Sequence, residues 1–536
     1  MSTLEPEKRR QHEDKSNEII DSPIFLNKIS ALPESENVHC LLLKQLIGSP
    51  QLKQTWQFNF CVDLNFLLEN MHASVFPTVD VRITHGYDSK SDSLARLTAQ
   101  MNHCPVNVKL YSVYVPMWGT HHSKIMVNFF KDDSCQIVIH TANLVEPDWI
   151  GMSQAIFKTP LLYPKANDSL STSSVPEYGN PSKIRKHEGS LDIKDDRNCD
   201  IIDVDSAFEN FKHKSDTRSS DDLGVIGRQF QQDFLAYLKN YRHTYELIEK
   251  LKMYDFSAIR AIFIGSVPGK FEGEEESSWG LGKLKKILKM LEKDSKKDEK
   301  TKFEESDICI SQCSSMGSFG PKQEYIAELT DGFGCQRGNW KFLFPTVKEV
   351  QQSMLGWQSG SSIHFNILGK TAASQVETLK KGKNLCKWVA MKAGRQRVAP
   401  HIKTYMRFSN DGELLRWVLV TSANLSKPAW GTLEGHKAKS RSTRGLRIRS
   451  YEAGVLLYPK LFEESQRAPC IMTPTYKTNT PNLDEKRREF YGKRVIGVRM
   501  CWDFPPVEYE DKDEIWSPVI NRTDKDWLGY VWPPNW

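Results

Sequence analysis

Gly119-Thr120-His121-His122-Ser123-Lys124-Ile125-Met126-Val127 sets an imidazole and an ammonium, His122 and Lys124, two residues apart at the head of an apolar run. In an extended segment, residues i and i+2 point to one face, so the two groups can meet a phosphate together. The triplet alone carries little weight. Its weight comes from the other half of the chain, where Pro400-His401-Ile402-Lys403-Thr404-Tyr405 repeats it. Two more blocks recur in the same order. Ala142-Asn143-Leu144-Val145-Glu146-Pro147-Asp148-Trp149 and Ala423-Asn424-Leu425-Ser426-Lys427-Pro428-Ala429-Trp430 both fit A-N-L-x-x-P-x-W, and Leu161-Leu162-Tyr163-Pro164-Lys165 matches Leu456-Leu457-Tyr458-Pro459-Lys460 letter for letter. Three ordered matches describe two copies of one α/β unit in a single chain. The tryptophans and the LLYPK blocks read as packing and as a turn closing a strand. The polar triplets do not, because a duplicated core has no need of them and burying them unpaired is costly.

A chain of 536 residues accommodates two or more domains, and 39% apolar residues with 14 tryptophans support sizeable cores. The net charge of +6 is small but unevenly spread. The 11 cysteines are scattered without CxxC spacing, and the closest pair, Cys309 and Cys313, lacks a second pair to complete a zinc site. Free thiols in a reducing compartment are therefore expected. No apolar stretch approaches the ~18 residues of a membrane span. The N-terminus, with Glu5, Glu7, Lys8, Arg9 and Arg10, lacks the apolar core of a signal peptide. The expectation is a soluble intracellular monomer, located in the nucleus, with no membrane partner. Lys8-Arg9-Arg10 reads either as part of an import signal or as a solvated tail.

Residues 1–20 read as a charged, disordered tail. Residues 21–250 form the first predicted domain, with strands at Val79–Thr84, Val106–Tyr111 and Ile137–His140. A Ser-, Asp- and Lys-rich disordered insertion interrupts it at about 166–222. Phe230 to Leu251 has apolar residues at helical spacing. The second predicted domain, 251–536, opens on a strand at Ile259–Ile264 and contains a charged loop from Lys293 to Glu305.

If the halves pack about a pseudo-twofold axis, both histidines can face one site. One imidazole then attacks phosphorus in line while the other protonates the leaving group, through a covalent phosphohistidine. Imidazole titrates near neutrality, so one ring can start neutral and the other protonated. Lys124 and Lys403 would neutralise the non-bridging oxygens, and Asn143 and Asn424 would donate hydrogen bonds. Two ammonium groups can thus do what divalent cations do elsewhere. The sequence offers no carboxylate–histidine cluster for a metal, so no cofactor is expected and activity should survive chelator.

Two H-x-K triplets on a duplicated chain resemble the phospholipase D superfamily. Where most of that superfamily continues the motif to an aspartate, both copies here carry asparagine. With GTHHSK, HTANL, PHIKTYMR and VTSANLSKPAWG, the chain resembles the tyrosyl-DNA phosphodiesterase branch from about residue 60 onward. The resemblance implies two phospholipase D-like α/β/α sandwich domains related by a pseudo-twofold axis. It implies His122 as nucleophile and His401 as general acid, later the base that activates water. The implied substrate is a DNA 3′-phosphate esterified to tyrosine, as left by a stalled topoisomerase, so the partners are such DNA and a topoisomerase-derived peptide. By the same pattern Gln154 and Glu452, each ahead of an LLYPK block, would orient a histidine, and Ser426 would hydrogen-bond in the same site. His121 reads as a structural neighbour rather than a second nucleophile.

A DNA strand needs cations along its backbone and a flat surface for a base. Lys380, Lys381, Lys383, Lys387, Lys392, Arg395 and Arg397 precede the second triplet, and Lys437, Lys439, Arg441, Arg444, Arg447 and Arg449 follow it. Both runs suggest a nucleic-acid track. Trp118 is placed to stack on a base, a role the resemblance also implies. Ser315 and Lys427 resemble the family's DNA-phosphate contacts, and Trp516, in Pro505-Pro506…Ile515-Trp516, resembles the segment facing the peptide. The competing readings are a phospholipase or general nuclease on the same scaffold, and a non-catalytic DNA-binding protein. The basic runs argue against a lipid substrate, and the two intact triplets argue against lost catalysis.

Overall fold

The computed structural model describes residues 18–165, 220–296, 302–435, 444–464, 467–483, 490 and 492–533. Two seven-stranded mixed sheets organise them. The first contains β1 (Ile24–Leu26), β2 (Leu52–Asn59), β3 (Asp80–His85), β4 (Asn107–Ser112), β5 (Ile125–Phe130), β6 (Cys135–His140) and β7 (Ala155–Lys158). The second contains β8 (Ile262–Ser266), β9 (Ile308–Gln312), β10 (Trp340–Leu343), β11 (Leu385–Cys386), β12 (Thr404–Phe408), β13 (Leu415–Thr421) and β14 (Glu452–Leu457). The spatial order is β1-β7-β6-β5-β2-β3-β4 in one and β8-β14-β13-β12-β9-β10-β11 in the other. Each position of the first sheet has its equivalent in the second. The hand of each pairing repeats as well: β2–β3 and β9–β10 are parallel, while β2–β5 and β9–β12 are antiparallel. The duplication read from three short motifs extends over the whole sheet.

Both faces of these sheets are covered, which is why β5 and β12 are apolar-rich and buried at every position rather than alternating with solvent. Along β5 the pleat sends Ile125, Val127 and Phe129 into one core and Met126 and Phe130 into another. The first core is shared between the halves, since Met406, Phe408, Val418, Val420, Val455 and Leu457 of the second sheet enter it too. Helices Ser220–Leu238 and Tyr245–Lys252 contribute Phe230, Phe234, Tyr237, Leu247 and Leu251 to this core. The outer face of each sheet carries its own apolar layer. The triplets therefore lie where the two units meet.

Several sequence expectations change here. The strand after each triplet begins only at Ile125 and at Thr404, so the H-x-K residues are its extended lead-in. The helix expected from Phe230 to Leu251 is two helices. Thr244 Oγ1 donates to Leu238 O (2.7 Å) and Tyr241 O (2.9 Å), tying down the chain where it breaks. The first of them begins at Ser220, within the end of the predicted insertion. Helix Gly280–Ser295 occupies the start of the charged loop placed at Lys293. Glu18–Ile20, placed with the charged tail, pair in parallel with Arg494–Ile496, because Arg494 bonds the Glu18 carboxylate at 2.9 and 3.0 Å. The rest of the tail and most of the insertion lie outside the described residues. Cys309 and Cys335 form a disulfide, against the expectation of free thiols throughout. Their separation of 26 residues concealed a pairing that the fold makes between β9 and the end of helix Tyr325–Phe333.

Candidate active site

Each triplet is strapped to the opposite half by main-chain pairing one residue ahead of its histidine. Pro400 pairs with Ser153, and His121 pairs with Tyr451, both in parallel. The next residue along each strap is then brought level with a histidine. Glu452 Oε2 lies 3.1 Å from His122 Nδ1, and the Gln154 side-chain amide lies against His401 Nδ1, with its nitrogen at 3.1 Å and its oxygen, the atom that can accept from Nδ1–H, at 3.3 Å. The partners are crossed, so the first copy holds the second copy's imidazole and the second holds the first's.

The partners are themselves held alike. Ser422 Oγ donates to Glu452 Oε2 at 2.5 Å and accepts from Ala453 N at 3.0 Å. Thr141 Oγ1 donates to Gln154 Oε1 at 2.7 Å and accepts from Ala155 N at 2.9 Å. These hydroxyls precede the Ala-Asn of each motif, and fixing them fixes the tautomer and tilt of each ring. They were overlooked in the sequence, although Thr141 and Ser422 occupy matching positions two residues before each asparagine. A third overlooked residue is Asp148, at the last of the three unmatched letters of A-N-L-x-x-P-x-W. Its carboxylate lies 3.2 Å from His401 Nδ1 and accepts from Asn143 N at 2.6 Å.

Lys124 Nζ donates to His122 O at 3.0 Å, and Lys403 Nζ donates likewise to His401 O. Each ammonium keeps donors to spare. Asn424 Oδ1 accepts from Ser315 N (2.9 Å) and Ser314 N (3.2 Å), which orients its amide nitrogen away from that loop. Asn143 Oδ1 is buried without a hydrogen-bond partner.

Burial dominates the electrostatics. It pushes His122 down to about 4, assisted by the Lys124 charge. It pushes His401 well below its ordinary value, assisted by Lys403 and Lys124. It also lowers Lys124 to about 8, against the pull of Glu452 and Asp148. Lys403 falls well below its ordinary value by burial and by repulsion from Lys124. Burial and the two lysines thus favour the uncharged form of both imidazoles.

His121 points away from the site. Its ring bonds Asn59 O (3.2 Å) and Tyr241 OH (3.1 Å), and Tyr241 continues to Tyr237 and Ser123. Trp118 projects from the loop ahead of the first triplet, 77% exposed, with φ of 68°. A bulky side chain in the left-handed region and in solvent is an outlier that packing does not explain. The neighbouring Gly119 is clamped on the other half: a Cβ there would lie 2.0 Å from Arg449 O. Ser315 shares the loop that holds Asn424. Ser426 and Lys427 begin the short helix after it, with the Lys427 ammonium 5.3 Å from the Tyr325 ring centre.

Two substrate-side expectations fail. Trp516 is fully enclosed, donates to Gly360 O and Ile363 O (both 3.1 Å) and stacks on Trp357, so it has no face for a peptide. The basic run before the second triplet is engaged elsewhere. Lys387 pairs with Glu510 and Asp513 (both 3.0 Å), Lys380 donates to Asp511 O and Asp513 O, Lys392 donates to Phe504 O, and Arg395 is buried against Asn27 O. The three lysines anchor the C-terminal segment, whose acidic residues lie too far along the chain to be weighed with the run, and Arg395 holds the segment around Asn27 and Cys40. Of the second run, Arg447 and Arg449 face Glu434 at 3.5 and 3.6 Å. Arg449 also donates to Met117 O at the Trp118 loop. Lys437, Lys439 and Arg441 lie outside the described residues.

The sequence profile described as Tyrosyl-DNA phosphodiesterase matches residues 23–510. Tyrosyl-DNA phosphodiesterase 1 of Arabidopsis thaliana is 28% identical, over 96% of this chain and 77% of its own length. A probable tyrosyl-DNA phosphodiesterase of Caenorhabditis elegans is 25% identical, over 91% of this chain and 94% of its own. The fold is similar to a crystal structure of the yeast tyrosyl-DNA phosphodiesterase, with a TM-score of 0.58 at 20% identity, covering 93% of this chain and 99% of that one. No helix among the described residues is long and apolar enough to cross a membrane. With two H-x-K…N sets on twin sheets and a family match over most of its length, the chain belongs to the tyrosyl-DNA phosphodiesterase family of hydrolases.

Proposed function

We propose that the protein hydrolyses the 3′-phosphotyrosyl bond between DNA and a topoisomerase-derived peptide, through a phosphohistidine and without a metal, leaving a 3′-phosphate. The observation that carries this reading is the crossed pair of imidazoles, each gripped at Nδ1 by the opposite copy. Gripping Nδ1 leaves Nε2 of both rings for chemistry. His122 is neutral at pH 7 and so can attack without first losing a proton. His401 must be protonated to act as acid, and the substrate supports that. A phosphodiester anion beside Lys124 and Lys403 offsets the repulsion that depresses the ring, so substrate binding favours the imidazolium. The bond to tyrosine breaks as His401 gives its Nε2 proton to the phenolate oxygen. In the second step His401 takes a proton from water, which attacks phosphorus and releases His122.

The two ammonium groups and the Asn424 amide would take the developing charge on the non-bridging oxygens. Trp118 would stack on a base of a single-stranded 3′ end, with Ser315 and Lys427 toward its phosphates. Action in the nucleus, on stalled topoisomerases, belongs to the same reading.

The test is a 3′-phosphotyrosyl oligonucleotide incubated with the protein in EDTA. Release of a 3′-phosphate strand is expected, and no product at high enzyme refutes the reading. His122→Ala should abolish turnover without leaving an adduct, whereas His401→Ala should let a covalent protein–DNA species accumulate. An adduct that needs His401 and survives loss of His122 reverses the assignment.

A further inference from the structure

The two copies differ in a complementary pair of positions. The second copy has Glu452 on its strap and Ala429 in the short helix after Asn424. The first has Gln154 on its strap and, in the equivalent helix Glu146–Ile150, Asp148 in place of that alanine. The copy that lacks a carboxylate at one position has one at the other, and both positions lead to a histidine Nδ1. Asp148 is 1% exposed and its Oδ2 lies 3.2 Å from His401 Nδ1. Gln154 shares that nitrogen but is neutral and already engaged: its Nε2 donates to Asp148 O at 3.1 Å and its Oε1 accepts from Thr141.

Resting on the reaction proposed above, we propose that Asp148 is the positioning carboxylate of His401. It accepts a hydrogen bond from Nδ1–H throughout, which turns Nε2 toward the phosphate and stabilises the imidazolium that forms whenever Nε2 carries a proton. In the first step the Nε2 proton goes to the tyrosine oxygen as the P–O bond breaks and the His122–P bond forms. In the second, a water proton goes to Nε2 as the O–P bond forms and the His122–P bond breaks. The Nδ1 proton never leaves. The role parallels that of Glu452 on His122, so each imidazole faces one carboxylate although the two arrive from different places in the repeat.

The surroundings suit a carboxylate that is ionised at neutral pH. Asp148 is faced by His401, by the ammonium groups of Lys403 and Lys124, by the Cys61 thiol and by the Asn143 main-chain N–H. Burial holds it up to about 6 against the pull of Asn143 and the lysines. Its support for His401 is present above that pH and fades below it.

Asp148 also caps Asn143, so the test must separate charge from structure. Asp148→Asn keeps an oxygen for Asn143 N and removes the charge. In single-turnover reactions at pH 7.5, D148N should slow resolution of the covalent adduct about tenfold, the difference between a charged and a neutral hydrogen bond. D148A should be slower still. The double variant D148A/Q154E recreates the alanine–glutamate pattern of the other half and should recover most of the D148A loss. D148N resolving at the wild-type rate, or a double variant no better than D148A, overturns the proposal.

Histidine hydrogen–deuterium exchange read by mass spectrometry supplies a substrate-free measure. D148N should lower the His401 midpoint and leave that of His122 in place; an unmoved His401 midpoint also overturns the proposal. A wild-type protein that forms no adduct at all defeats the hydrolase reading instead, and the exchange midpoints still decide the role of Asp148.

Discussion

Replacing Glu452 by glutamine isolates the charge behind His122, the histidine proposed to attack. The carboxylate lies 3.1 Å from His122 Nδ1, its side chain is 4% exposed, and Ser422 holds it at 2.5 Å, so the contact is both desolvated and ordered. Glutamine keeps the shape and one oxygen acceptor. It loses the negative charge that balances the imidazole as positive charge develops on attack. Hydrogen bonds to charged groups are worth about 1.5–3 kcal/mol in mutational series, which corresponds to about a 10- to 150-fold loss in rate. A ceiling of about 4 kcal/mol follows from unit charges at ~4 Å in an effective dielectric of ~20. The assay is rapid-quench single turnover on a 3′-phosphotyrosyl oligonucleotide, resolving adduct formation from adduct loss on a denaturing gel. E452Q should slow formation more than resolution, whereas D148N acts through His401, the acid of the first step and the base of the second. Adduct formation at the wild-type rate, or a defect confined to resolution, refutes the crossed assignment of partners.

Three further outcomes follow from the geometry. Lys124 is held down to about 8, so its charge is present below that pH and lost above it. Log kcat/KM should fall above about pH 8, and the residual activity of Lys124→Ala should lack that limb; a wild-type profile flat to pH 10 contradicts the role. Trp118→Ala should weaken single-stranded DNA binding by ~1–3 kcal/mol, about 5- to 150-fold, in fluorescence anisotropy. Its thermal midpoint should not change, because the ring is in solvent; unchanged affinity removes the stacking role. Lys387→Ala breaks contacts to Glu510 and Asp513. It should lower the melting temperature while leaving DNA affinity and its salt dependence intact, whereas a salt slope reduced by ~0.9 would return this lysine to the phosphate track.

The triplets, asparagines and ordered repeats were legible because each is local: a few residues whose types and spacing carry their own chemistry. The crossing of partners was not. Nothing near His122 names Glu452, and the link exists only because His121 pairs with Tyr451 and Pro400 with Ser153. Asp148 was invisible for a subtler reason. It occupies one of the variable letters of a repeat, and aligning two copies discards the positions where they differ. The LLYPK blocks show the limit of letters: Leu456 and Leu457 end β14, while Leu161 and Leu162 follow β7 after a longer gap. The lysines before His401 and Trp516 were misplaced because composition cannot weigh a partner more than a hundred residues away.

The straps joining Ser153 to Pro400 and Tyr451 to His121 have an evolutionary consequence. In a dimer of identical subunits, an exchanged partner is necessarily the same on both sides. The two imidazoles would then be equivalent until a substrate chose between them. Once the copies are fused, mutation can act on one strap and not the other. Glu452 on one side, with Gln154 and Asp148 on the other, is a difference that a dimer of identical subunits cannot carry. On the proposed reaction, a single chain can thus give its two histidines different roles before any substrate arrives.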